Sequence, residues 1–168
     1  MTDFTPPIDW NVGLDVTESI LNQQIRDNTK NLNERTTVLE GEITDLIRSA
    51  VVSVVPDAIA VDTTTGIKYL PIPSSCNGMN LITAAAFVIT AGVTGATTIQ
   101  VRNTTKYAGN DSLSSAISIA SGATTSTGGT VSGSYDDVSI NDLLKIYVTA
   151  QSITKPLGLY VVLEFQLP

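Results

Sequence analysis

A seven-residue repeat of apolar residues constrains this chain more than any other feature. Ile25, Leu32, Leu39 and Leu46 follow one another at this interval, and residues 14–40 contain neither glycine nor proline. Apolar residues every seven positions keep one side of a helix turned towards a partner helix. The pattern therefore predicts a helix that supercoils with other copies.

The sequence Asp15-Val-Thr-Glu18 has the spacing of a capping box, so the helix is expected to begin at Asp15 and to continue to about Ser49. Such a helix would be roughly 50 Å long at 1.5 Å per residue, which exceeds the width of a small domain. Much of it must find a partner elsewhere, and three parallel copies around an axis would supply one. A single amphipathic helix packed on its own domain is the alternative.

The second line of this seam is mixed, because Leu21 is followed at the same interval by the polar residues Asn28, Arg35 and Glu42. A polar seam residue such as Asn28 can fix register and oligomeric state at a cost in stability. The predicted trimer seam consists of Leu21, Ile25, Asn28, Leu32, Leu39 and Leu46.

Charge divides the chain into two regions. Thirteen of the first 50 residues are charged, against 12 of the following 118. Glycine, serine, threonine and β-branched residues dominate the second region, as is typical of short strands joined by tight turns. We expect an extended docking arm over residues 1–14, a helical trimerisation stem over 15–50 and a β-sandwich head over 51–168.

The head is predicted to be a jelly-roll-like antiparallel sandwich, so that the chain as a whole is mainly β with an N-terminal coiled-coil-like helix. Residues 159–165 are apolar at consecutive positions, which indicates a central strand or one covered by a neighbouring subunit. The predicted strands are 51–55, 59–61, 67–72, 80–90, 97–103, 115–119, 130–134, 143–150 and 159–166.

Composition argues against several classes of function. The net charge of −7 does not suit a phosphate-binding surface, so nucleic acid is not an expected partner. Histidine is absent, and Cys76 is the only cysteine, so we expect a buried thiol, no metal site and no cofactor. No apolar run is long enough to span a membrane, and the N-terminus does not resemble a signal peptide, so synthesis in the cytoplasm is expected.

Two groups of residues could carry chemistry in the head. Asp136, Asp137 and Asp142 could form a carboxylate pair or a calcium site, although Asp residues at turns commonly bond their own backbone. Tyr107 and Tyr135 lie in predicted loops, where an aromatic ring could stack on a sugar or pack on its own domain. We favour the structural alternative in both cases and assign no catalytic residue.

The first residues of the chain combine apolar side chains with prolines that oppose helix formation. Such an arm has no core of its own to join, so the entropy cost of ordering it is offset only if the apolar groups are buried on another surface. Trp10 is the strongest anchor, or alternatively a staple over the start of the helix. The predicted docking residues are Phe4, Pro6, Pro7, Ile8 and Trp10.

The same N-terminal region resembles a module at the start of many bacteriophage tail-fibre and other virion structural proteins. The resemblance rests on Trp10, Gly13, Val16, Thr17, Leu21, Asn22, Ile25, Arg26, Asp27 and Asn28, with Leu32 following. Residues 91–103, 111–119, 136–144 and 158–163 are similar to the β-sandwich heads of such proteins.

The resemblance implies a trimeric protein of the virion, non-enzymatic, whose partners are its own copies and the major capsid or tail proteins. Long tail fibres have repeat-rich shafts, whereas this chain has a short stem without internal repeats. That difference favours a capsid decoration or cement protein, or a short fibre. The alternative is a tail receptor-binding protein whose head recognises a host carbohydrate, and an esterase or glycosidase head is a third possibility.

Overall fold

The computed structural model describes residues 18–44 and 46–168, and within the helix it describes the side chains of residues 21–36. The chain divides between residues 45 and 46 into two compact units, which are described separately. The predicted docking residues Phe4 to Trp10 and the capping residue Asp15 lie outside the described part. The docking arm therefore stays a prediction.

The first unit contains one helix, α1, Glu18–Thr44. The expected continuation to Ser49 is wrong, because residues from Arg48 onwards form a strand. Gly41 costs about 1 kcal/mol relative to alanine in a helix interior, and Ile43 and Thr44 are β-branched. The following run of serine and valine is suited to a strand, and its pairing in the second unit ends the helical pattern.

Ten strands form the second unit, and all of their pairings are antiparallel. They are β1 Arg48–Ala60, β2 Ile67–Pro71, β3 Asn80–Thr90, β4 Thr97–Asn103, β5 Leu113–Ser115, β6 Ile117–Ile119, β7 Ser126–Thr127, β8 Thr130–Val131, β9 Leu143–Ala150 and β10 Leu157–Gln166. The prediction of a mainly β chain with one helix near its N-terminus is confirmed.

The larger strands form two sheets. One has three strands in the order β1-β10-β3, and the other has five in the order β2-β9-β4-β6-β7, while β5 and β8 form a small separate pair. Strand β10 is thus a central strand, as its apolar residues predict. The outer edge of β3 is covered by residues 124–129, because the amides of Val88 and Gly129 bond across this edge to Thr124 and Ala84.

Inward side chains of both sheets meet in one hydrophobic core. Strict alternation on β4 and β9 buries every second residue, such as Ile99, Val101, Ile146 and Val148. Burial of a side chain of this size contributes about 1.5–3 kcal/mol to folding. The core therefore fixes which residues of each strand face outwards, and those outward residues are the candidates for function.

Candidate interaction surfaces

Between residues 21 and 36 the helix carries an exposed apolar line, and all other side chains of this stretch are polar. Leu21, Ile25 and Leu32 have 45%, 55% and 61% of their surface exposed, respectively. The hydroxyl of Thr29 donates to the carbonyl of Ile25 at 2.8 Å, and the hydroxyl of Thr36 donates to the carbonyl of Leu32 at 2.9 Å. Both hydroxyls therefore have their hydrogen-bond acceptor within the helix. Within the described residues this line has no partner that would cover it.

Two residues of the predicted trimer seam, Leu39 and Leu46, do not belong to the apolar line described above. Leu39 lies within α1, but its side chain is outside the described part. Leu46 lies beyond the end of the helix, in the second unit, where 40% of its surface is exposed. The prediction that Leu46 continues the helical seam is wrong, because the helix ends at Thr44.

The outward side of the three-stranded sheet is apolar. Alternation along β10 turns Leu159, Val161 and Leu163 inwards and turns Tyr160 and Val162 outwards. The register places Val51 and Ala85 on either side of Val162, and it places Phe87 beside Tyr160. We call the outward residues Val51, Ala85, Phe87, Ile89, Tyr160 and Val162 the apolar face.

Several residues of the apolar face are strongly exposed: Val51 has 70% of its surface exposed, Phe87 42% and Ile89 56%. Polar groups border this face, and the exposed Ser53 lies beside Tyr160 within it. Glu164 is one row beyond Val162, and the hydroxyl of Tyr160 donates to the carboxylate of Asp57, whose acceptance of this bond raises the pKa of Tyr160. The middle of the face contains no charged side chain.

Gly158 fits the apolar face closely against its neighbours. Its φ is +63°, a region that favours glycine, and an added Cβ would lie 2.8 Å from Cγ1 of Ile89 and 2.9 Å from Cα of Asp57. The missing side chain lets β1 and β3 approach each other over β10. Any substitution here would therefore disturb both the backbone and the position of Ile89.

The outward side of the five-stranded sheet is polar and aromatic. Arg102 on β4 donates to Oδ1 of Asp111 from Nε at 2.9 Å and to the hydroxyl of Tyr147 from Nη2 at 3.0 Å. That hydroxyl in turn donates to the same Asp111 oxygen at 2.7 Å. We call the outward residues Tyr69, Gln100, Arg102, Lys145 and Tyr147, together with Asp111, the polar face.

Electrostatic effects within the polar face favour the charged cation and the neutral phenol. The hydrogen bond to Asp111 raises the pKa of Arg102 further. Partial burial, followed by the hydrogen bond to Asp111, raises the pKa of Tyr147 to about 12. The ammonium of Lys145 lies 4.8 Å from the centre of the Tyr147 ring, within the range of a cation–π contact.

The two loop tyrosines come together beside the end of β4. Their ring centres are 5.3 Å apart at an angle of 67°, an edge-to-face arrangement. The hydroxyl of Tyr107 and the ammonium of Lys106 both donate to Oδ2 of Asp137, at 3.0 and 3.1 Å. These bonds, the one from Lys106 first, lower the pKa of Asp137. The expectation that Tyr107 and Tyr135 occupy loops is consistent with this contact.

A buried polar pair holds the loop that carries Tyr107. Asn103 accepts from the amides of Thr105 and Lys106 through Oδ1 and donates to Oδ2 of Asp142 at 2.7 Å. Asp142 also accepts from the amide of Ser139 at 2.9 Å. This pair was missed in the sequence, and the Asn at the end of an alternating strand was its only signal.

Two members of the acidic group Asp136, Asp137 and Asp142 have different hydrogen-bond partners. Asp142 bonds the backbone of its own turn, and Asp137 bonds Lys106 and Tyr107. Among residues 18–44 and 46–168, no group of three or more His, Cys, Asp or Glu side chains is placed to hold a metal ion. Cys76 is buried and unpaired, as predicted.

The polar face was also missed in the sequence, since its three bonded residues lie on different segments. The pattern did show that Arg102 and Tyr147 face outwards on alternating strands, but it did not show that β4 and β9 are neighbours.

No helix in the described part of the chain is long and apolar enough to cross a membrane. No protein-family model matches the sequence, and no curated protein matches it.

Proposed function

We propose that this chain is a non-enzymatic structural protein of a bacteriophage particle. It forms a homotrimer through its helix, attaches to the particle through its N-terminal region and projects a jelly-roll-like sandwich outwards. Its role is that of a capsid decoration or cement protein, or of a short fibre, located on the virion. The resemblance of residues 10–28 to the virion module supports this class of protein.

One observation carries the proposal: the apolar line of Leu21, Ile25 and Leu32 is exposed on a stretch of the helix, residues 21–36, whose other side chains are all polar. An isolated helix gains little stability from its own surface pairs, and the 3.9 Å ion pair of Lys30 and Glu34 contributes only a few tenths of a kcal/mol. Association of copies would bury the apolar line, as the seam of a coiled coil does. A trimeric stem therefore accounts for both the spacing and the exposure.

The architecture of the second unit is compatible with a jelly-roll-like head. Two antiparallel sheets share one core, and the strands of these sheets are joined by turns rich in glycine, serine and threonine. Such a head stays soluble through many neutral polar groups instead of a high density of charge. Binding, and not catalysis, is the role that we assign to it.

Light scattering of the full-length protein at micromolar concentration tests the trimer. The double variant Leu32→Asp/Leu39→Asp should weaken association, because it would bury charge in the seam. The matched control Gln23→Asp/Thr37→Asp places the same charges on the opposite side of the seven-residue repeat and should leave the trimer intact. A monomeric wild-type protein would contradict the proposal.

Co-sedimentation with particles that lack the protein tests attachment. Deletion of residues 1–14 should leave a folded trimer that no longer binds such particles. Trp10→Ala alone should weaken binding by about 2 kcal/mol, or about 30-fold, as expected for a central aromatic anchor. Undiminished binding by the truncated trimer would assign attachment to the head.

The second candidate is a tail receptor-binding protein whose head binds a host carbohydrate. The edge-to-face pair of Tyr107 and Tyr135, with Asp137 and Lys106 beside it, favours this candidate, since aromatic rings and paired polar groups are common in sugar sites. A glycan screen of the full-length protein, repeated with Tyr135→Ala, separates the candidates. Binding that is lost in the variant supports receptor recognition, and no binding by the wild type supports the structural role.

A further inference from the structure

The apolar face of the three-stranded sheet is uncovered within the second unit. Nothing in residues 46–168 packs over Val51, Phe87 or Ile89, and these three side chains keep between 42% and 70% of their surface exposed. Val162 and Ala85 lie in the same row as Val51, and Phe87 lies in the next row beside Tyr160, so the apolar side chains form one patch. A contiguous apolar patch of this kind on a soluble domain marks an interaction surface.

The charge of the β-unit allows an identical copy to be the partner of the face. Residues 1–45 contain nine acidic and three basic residues, whereas residues 46–168 contain seven acidic and six basic ones. Copies of the β-unit therefore repel each other only weakly. The face itself contains no cluster of like charge, because Glu164 is one row beyond Val162 and the carboxylate of Asp57 accepts from the hydroxyl of Tyr160.

The position of the face along the chain supports the same partner. Only residues 45–47 separate the end of α1 from the start of β1. Helices that associate would therefore hold the β-units of different copies at an effective concentration on the order of millimolar. The apolar residues Leu46 and Ile47, which directly precede β1 in the second unit, are also exposed, at 40% and 48% of their surface.

We propose that the β-units of the trimer pack on one another through the apolar face, with the polar face turned to solvent. This inference rests on the proposed trimer and adds a second contact to the one made by the stem. It assigns Val51, Phe87, Ile89 and Val162 to the subunit interface. The remaining outward aromatic residues, on the five-stranded sheet, stay available for other partners.

Thiol labelling of the full-length protein tests the packing. Val51→Cys and Ile89→Cys place a thiol on the apolar face, and Tyr69→Cys places one at a site of similar exposure on the polar face, where Tyr69 is 50% exposed. The wild-type protein gives the background from the buried Cys76. In the trimer, Val51→Cys and Ile89→Cys should react at least about tenfold more slowly than Tyr69→Cys, since a covered thiol is protected from the reagent.

The same measurement in the Leu32→Asp/Leu39→Asp background identifies what covers the face. If that background is monomeric, Val51→Cys should react as fast as Tyr69→Cys, and if it remains trimeric with slow labelling, the β-units hold together without the stem. Slow labelling in a monomer would place a segment of the same chain on the face and overturn the inference. Fast labelling in an intact trimer overturns the packing alone, whereas a monomeric wild type removes the trimer as well.

Discussion

The outward faces of the two sheets differ in how their side chains are satisfied. On the five-stranded sheet, Arg102, Asp111 and Tyr147 satisfy one another through three hydrogen bonds of 2.7 to 3.0 Å. On the three-stranded sheet, Val51 and Phe87 keep 70% and 42% of their surface exposed. The polar side chains of the first face are hydrogen-bonded within a single copy, whereas the apolar side chains of the second are covered only in the assembly that we propose.

The comparison teaches that the fold of a sandwich can be inferred from its inward residues, while its outward residues indicate what surrounds each face. Inward residues of both sheets join one buried hydrophobic core. The two outward faces, built on the same antiparallel framework, therefore differ for a reason that the fold alone does not supply. We propose that assembly supplies it for the apolar face and solvent exposure for the polar face.

The largest effect is expected from a charge in the middle of the apolar face. Val162→Asp leaves the inward side of β10 intact, but it would place an unpaired carboxylate in the subunit contact. We expect it to weaken association by about 3 kcal/mol or more, measured by light scattering over a dilution series. Thr149→Asp, at an exposed site on the outward side of β9, is the matched control and should leave association unchanged.

A smaller effect, on folding and not on assembly, is expected from Asp111→Ala. The substitution removes the acceptor shared by Arg102 and Tyr147, whose hydrogen bonds involve a charged group and are partly shielded from water. We expect the free energy of unfolding to fall by about 2 kcal/mol in denaturant titration. A change in oligomeric state as well would contradict the separation of the two faces.

Raising the pH into the alkaline range should show how much Tyr147 contributes to the free energy of unfolding. Its pKa is raised from 10 to about 12 in the folded chain, so the stabilisation is complete below pH 10 and is lost as the pH rises through about 12. Tyr147→Phe should cost about 1 kcal/mol at neutral pH by loss of its hydrogen bonds, and this difference should shrink above pH 10. When the wild-type protein and the Tyr147→Phe variant are titrated by tyrosinate absorbance, only the wild type should show a step at a pKa of about 12 that belongs to Tyr147.

The smallest effect is expected at the loop cluster. Lys106→Ala removes an exposed ion pair with Asp137, and pairs of this kind contribute within about 0.5 kcal/mol. Because the pKa of Asp137 is lowered, its contribution is present above the ordinary range of an Asp and is lost as the pH falls. Denaturant titration at neutral and acidic pH should show a small difference that disappears in acid.

Much of the fold could be predicted because the strands of the second unit obey a period of two. Residues 80–90, 97–103 and 143–150 were predicted as strands and are β3, β4 and β9 with the same bounds. The ends of strands that depend on tertiary pairing were not predictable. Strand β1 begins at Arg48, inside the predicted stem, because this segment pairs with β10, where Arg48 lies opposite Phe165. The predicted strand 115–119 corresponds to the end of β5 and the whole of β6, and the predicted strand 130–134 is shortened to β8, Thr130–Val131.

The candidate surfaces were predictable only in part. The apolar residues of 159–165 indicated a central strand or one covered by a neighbouring subunit, and the outward residues Tyr160 and Val162 belong to the apolar face. Its other members come from β1 and β3, so the face becomes visible only once the strand order is known. The polar face depends in the same way on Asp111, a loop residue, reaching across to β4 and β9.

The central position of β10 governs when this protein can fold during synthesis. It separates β1 from β3 in the three-stranded sheet, yet it leaves the ribosome after both of them. Until it emerges, β1 and β3 have no central neighbour, and their valine- and alanine-rich segments resemble the unpaired edges through which nascent chains aggregate. The pairing of Arg48 with Phe165 also spans most of the domain, which makes for slow folding of high contact order. Translation that stops before residue 157 would therefore release an insoluble product instead of a smaller domain.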